Sequence, residues 1–135
     1  MRNPQFRGGG VVFGPQGKEN YSLSVNKKFR KKVLRSLLGE KMRNKEIVIV
    51  DKLGLENYKT KEAEKFLDIL PTKKAKSLLV LANNEENKEK IIFSFRNLPY
   101  INVSDSKSIN SLQISSLNYL ILTQSAFSEL EKRLS

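Results

Sequence analysis

From residue 46 onward the sequence repeats one phrase, a short apolar run followed by an amphipathic stretch, and few folds accept that order. The runs are Ile47-Val48-Ile49-Val50, ending at Asp51, then Ser77-Leu78-Leu79-Val80-Leu81, Ile101-Asn102-Val103 and Tyr119-Leu120-Ile121-Leu122. Most are apolar at consecutive positions, so a strand made from them buries both faces. Between them the period lengthens to that of a helix. Thr60 is placed to cap a helix through about Leu70, with Ala63, Phe66, Leu67 and Leu70 inward and Pro71 stopping it. Glu86 to about Asn97 carries Ile91, Ile92 and Phe95 and ends before Pro99; residues 108–115 form a short helix. Thr123 caps a last helix that holds Phe127 and Leu130. This alternation predicts an α/β fold, with a mainly parallel sheet covered by helices. At 135 residues there is room for one such domain.

The first third of the chain is different. Residues 1–45 hold twelve of the 25 basic residues: Arg2, Arg7, Lys18, Lys27, Lys28, Arg30, Lys31, Lys32, Arg35, Lys41, Arg43 and Lys45. Only Glu19 and Glu40 oppose them, whereas the other ninety residues carry 13 basic and 12 acidic side chains. Nearly all of the +11 formal charge therefore lies before residue 46. A run of one sign repels itself unless a polyanion neutralises it, which predicts a nucleic-acid partner. Residues 26–43 read as a helix capped by Ser24 or Asn26. Val25, Phe29, Val33, Leu37 and Leu38 form its stripe, widened by Leu34 and Met42, and the cations fall largely off that stripe. Residues 1–20 read as an extended arm before a globular domain at 21–135. Pro4, Gly8-Gly9-Gly10, Gly14-Pro15 and Gly17 punctuate the arm, and only Val11-Val12-Phe13 is apolar enough to anchor it.

The chain is poorly equipped for catalysis. It has no histidine and no cysteine, so imidazole acid–base chemistry, thiolate nucleophiles, disulfides and thiolate metal sites are out of reach. A dinucleotide fingerprint starting at Gly8 would need glycine where Phe13 stands. A phosphate loop ending at Gly17-Lys18 would need glycine at Val12 and a hydroxyl at Glu19. Asp51, Asn83, Asn84, Asp105 and Thr123 fall at strand ends, where they read as turn and cap residues. No catalytic residue, metal ligand, cofactor or small-molecule substrate is expected. No apolar run approaches the roughly 18–20 residues that span a bilayer, and the first residues hold no signal-like apolar stretch, so no membrane partner is expected either. In the arm, glycines let backbone approach a phosphate or base closely, Arg7 can grip phosphate or stack, and Phe6 or Phe13 can stack on a base.

Phe6-Arg7-Gly8-Gly9-Gly10-Val11-Val12-Phe13-Gly14-Pro15 resembles the hallmark segment of the bacterial-type large-subunit ribosomal protein four family. The helix from Asn26-Lys27-Lys28 to Lys41, with Leu34-Arg35-Ser36-Leu37-Leu38, is similar to the basic helix that follows it there. So are Arg96-Asn97-Leu98-Pro99 before a short strand and Leu120-Ile121-Leu122-Thr123 before the last helix. The resemblance implies a three-layer α/β/α fold whose four parallel strands are ordered 1-4-2-3. It also implies an early-assembling structural role on large-subunit (23S-type) rRNA, beside neighbouring large-subunit proteins, in the cytoplasm or in an organelle. Residues 1–14 would match the returning limb of a long loop that reaches toward the peptide exit tunnel. Family members carry a segment before that point, with a helix and the outgoing limb, which this chain is expected to lack. Arg2, Arg7, Gly8, Gly9, Gly10, Lys27, Lys28, Arg30, Lys31 and Arg35 would touch rRNA by position. Phe6, Lys18, Lys32, Lys41 and Arg43 join them from the charge and stacking arguments. A regulatory RNA-binding module acting outside the ribosome is the alternative reading.

Overall fold

A computed structural model describes residues 2–14, 17–51, 53, 59–72, 75–85 and 87–135. The strands are β1 (Ile47–Val50), β2 (Ser77–Leu81), β3 (Ile101–Asp105) and β4 (Tyr119–Thr123). The helices are α1 (Lys27–Arg43), α2 (Thr60–Ile69), α3 (Lys88–Arg96), α4 (Ser111–Ser116) and α5 (Gln124–Leu134). All strand pairs are parallel, in the order β1-β4-β2-β3. Leu78 pairs with Leu120 on one side and Asn102 on the other, so β2 and β4 are the central strands.

The unbroken apolar runs now have their reason. Alternate residues of β2 and β4 point to opposite faces. Leu78, Val80, Leu120 and Leu122 pack under α1, α4 and α5 through Leu34, Ile114, Ala126 and Leu130. Leu79, Leu81 and Ile121 pack under α2 and α3 through Ala63, Leu67, Ile91 and Phe95. A strand with a helix layer on each side has no polar face to show. Phe95 is fully buried and meets Phe66 edge to face, with ring centroids 6.4 Å apart.

Several local expectations change. Ile47–Val50 is an edge strand paired only with β4, and Ile49 is 51% exposed, so its apolar run does not signal full burial. β3 extends to Asp105, beyond the expected Val103. Thr60 lies inside the first turn of α2, whose cap is Lys59 without a side-chain bond. Leu70 adopts an extended conformation ahead of Pro71 and closes that helix. The expected α3 start at Glu86 lies outside the described residues, and α3 begins at Lys88. α4 spans Ser111–Ser116 rather than the expected 108–115, because a capping box sets its start: Asn110 Oδ1 accepts from Gln113 N and Gln113 Oε1 accepts from Asn110 N. Asn26 and Thr123 cap α1 and α5 through their side chains.

Candidate nucleic-acid interface

α1 begins where Asn26 Oδ1 accepts from Lys28 N. Its first turn holds no acidic residue, although the N-terminus of a helix favours negative charge. Lys27, Lys28, Arg30, Lys31 and Lys32 instead crowd the first two turns, and every residue from 27 to 32 is exposed. The expected division into one packed and one cationic face therefore fails at this end. Phe29 is 58% exposed, Val25 is also exposed, and an open cleft of about 510 Å³ lies between them and Ile109. Packing starts one turn later, at Leu34, Leu37 and Leu38. The periodicity correctly shows an amphipathic helix, but it does not show how far the core extends beneath it. The result is a helix end whose five cations stand in solvent beside an equally exposed Phe29, with no core beneath them. Each cation there is unfavourable by roughly 0.3–1 kcal/mol against the helix dipole until an anion arrives.

The rest of the cationic set divides by position. Lys18 and Arg43 are exposed, and Arg35 is exposed while donating from Nη2 to the Ser135 carbonyl at 3.0 Å. Lys41 is committed inside the protein. Its ammonium reaches Glu46 Oε2 at 2.7 Å and the carbonyls of Leu117 and Asn118 at 2.7 and 2.9 Å, which uses all three of its donors. The clue was its spacing, since Leu34, Leu38 and Lys41 recur at helical intervals on one side. Lys41→Met should lower stability by about 1–3 kcal/mol, because it leaves these acceptors unmatched. It should leave the salt dependence of RNA binding unchanged. A flattened salt slope would return Lys41 to the contacting set.

Among the described residues, those before Lys27 form no helix or strand and add nothing to either core. Val11, Val12 and Phe13 do not anchor the segment, and Phe13 is 90% exposed. Met1, Pro15 and Gln16, within the expected arm, lie outside the described residues. Two successive turns organise the rest. Phe6 N donates to the Asn3 carbonyl at 3.0 Å, and Gly9 N donates to the Phe6 carbonyl at 2.8 Å. Pro4 supplies the second position of the first turn. Gly8, at φ +80°, supplies the third position of the other, as a type II turn demands. Gly10 N reaches back to the Arg2 carbonyl at 3.4 Å. Phe6 and Arg7 are left exposed.

The strand ends, where α/β ligands gather, are occupied by structural bonds. Glu85 Oε2 accepts from Thr123 Oγ1 and Ser125 Oγ at 2.9 and 2.7 Å. Glu129 accepts from Asn83 N and from Ser106 Oγ, and Lys88 pairs with Asp105 at 2.8 Å. Sequence reasoning missed both glutamates, because the side chains that bind them lie 23–40 residues away. The Ser106 hydroxyl holds the Glu129 carboxyl below its ordinary range. Partial burial opposes this, while Asn83 N and the charges of Lys107 and Lys88 assist. A lowered folded pKa contributes stability above the unfolded carboxylate range and loses it as pH falls through the folded value. Glu129→Gln should therefore be less stable than wild type at neutral pH, with the gap closing under acid. Chemical denaturation across the acidic range measures this, and a pH-independent gap would contradict it.

A family model described as the ribosomal protein L4/L1 family matches residues 1–133. The chain belongs to that family. Among L4/L1 relatives, proteins named large ribosomal subunit protein uL4 are 39% identical in Magnetococcus marinus and 38% identical in Staphylococcus haemolyticus. These alignments cover 99% and 98% of this chain. The protein of that name in Spiroplasma kunkelii is 34% identical over 98% of the chain. The chain spans about three-fifths of the length of these relatives, 62% of the first and 61% of the second. The parallel order β1-β4-β2-β3 is the one the resemblance to large-subunit protein four implied.

Proposed function

We propose that the chain is a structural constituent of the large ribosomal subunit. In this reading it binds 23S-type rRNA through the first two turns of α1 and the glycine-containing segment before them. The observation that carries the proposal is the set of five cations exposed around a helix N-terminus that has no acid in its first turn. Such a surface is at odds with itself in water and suited to phosphates, because the helix dipole and the side chains attract the same charge. The family membership supports the ribosome as the source of that RNA. The orientation of Phe6 to Gly14 toward rRNA near the exit tunnel rests on the resemblance of that segment to the family's loop. Neighbouring large-subunit proteins are the other partners, and the ribosome, in cytoplasm or organelle, is the location.

Sedimentation of tagged chain on sucrose gradients tests this. The chain should travel with the large subunit and stay bound through high-salt washing. Quantitative release into the light fractions, with RNA binding retained, would favour a regulatory module working outside the ribosome.

A further inference from the structure

Resting on the rRNA-binding reading above, we infer that the double turn at Asn3–Gly10 is a preformed stacking site for one unpaired nucleotide. Phe6 supplies the platform and Arg7 the phosphate contact. The two turns share Phe6, whose N–H closes the first and whose carbonyl closes the second. This fixes the backbone on both sides of an aromatic ring that is 63% exposed and belongs to neither core. Arg7 occupies the second position of the second turn, directly after the ring, and is exposed as well. An exposed aromatic on a fixed backbone, followed directly by a guanidinium, suits a base that has left its helix, since every base offers a π face and carries a phosphate within reach of the next side chain. A paired stem hides those faces, so single-stranded RNA is the ligand class.

The glycines are not interchangeable in this arrangement. A Cβ on Gly9 would overlap the Asn3 carbonyl oxygen and lie 2.9 Å from the Phe6 carbonyl oxygen, the two acceptors that close the turns. Gly8 has room for a side chain but sits at φ +80°, which strains any other residue. A Cβ on Gly10 meets nothing within 4 Å. Gly9 is thus the positioning residue. Its missing side chain is what lets both turns close on either side of Phe6.

The test compares the full chain on a short oligouridylate, which neither pairs nor stacks strongly on itself, with a blunt RNA duplex of equal phosphate count. Phe6→Ala and Gly9→Ala should each weaken oligouridylate binding by about five- to 150-fold, the range for loss of one stacked base. Both should leave duplex affinity unchanged. Phe6→Tyr should restore binding. Because these residues lie outside both cores, the fold is not at stake. Full oligouridylate affinity in Phe6→Ala, or an equal loss on the duplex, would overturn the stacking site. Full affinity in Gly9→Ala alongside a loss in Phe6→Ala would overturn its preformed turn. If the wild-type chain binds neither RNA, the rRNA-binding reading itself falls, and this site with it.

Discussion

Replacing Lys27, Lys28, Arg30, Lys31 and Lys32 together by glutamine should lower affinity for large-subunit rRNA by roughly 3 × 10³ to 3 × 10⁴-fold at 0.1 M salt. Each phosphate contact contributes about 0.7–0.9 to the slope of log affinity against log salt, so five contacts contribute about 3.5–4.5. One decade below 1 M salt, that slope becomes the stated loss, and near 1 M salt the variant and wild type should converge. The same substitutions should not weaken the fold. They remove five exposed cations from the positive end of α1, where repulsion and the helix dipole both oppose them. Thermal unfolding should therefore occur at or above the wild-type temperature. RNA titrations over a range of salt, paired with melting curves, check both halves. An unchanged slope would move the contacts elsewhere on the molecule. A lowered melting temperature would mean that these lysines hold the domain together.

Phe95→Ala should have the opposite profile. The ring is wholly buried between α3 and the sheet, and it meets Phe66 edge to face. Its removal should cost about 3–5 kcal/mol, from lost burial and the cavity left behind. The melting temperature should fall by roughly 10–25 °C in a domain of this size. Total stabilities of roughly 5–15 kcal/mol leave such a variant marginal. Below its melting point, the variant should bind RNA with the wild-type salt slope, because α3 lies on the opposite face of the sheet from α1. Denaturant titration gives the first quantity and RNA binding at low temperature the second. A loss below 1 kcal/mol would mean that the core relaxes around the gap.

These two outcomes mirror what was legible in the sequence. β2 and β4 could be read because a central parallel strand needs apolar side chains on both faces, and Leu78 to Leu81 supply them without a break. β1 carries the same kind of run yet lies at the edge, with Ile49 exposed. Composition records what a strand is able to bury, and neighbour order decides what it does bury. The stripe of α1 was misleading for a related reason. Its period identifies the helix, but only the tertiary structure shows that the core ends near Leu34 and leaves Phe29 outside. Lys41 was counted by charge alone, and the carbonyls it binds lie 76 and 77 residues away. The turns at Asn3–Gly10 were half legible. Pro4 and Gly8 occupy positions where turn chemistry wants them, whereas the crowding at Gly9 emerges only once the chain has folded back on Asn3.

Whether the N-terminal end of α1 lies against rRNA can be measured directly. The chain has no cysteine, so a single introduced thiol gives a single attachment point for an iron chelate that generates hydroxyl radicals. Lys28→Cys places the probe on the second residue of α1, and Lys65→Cys places it on exposed α2 across the sheet. After assembly into large subunits, the probe at 28 should cut rRNA strongly and at a few sites, and the probe at 65 should cut weakly. Strong cleavage from 65 with none from 28 would contradict the assignment.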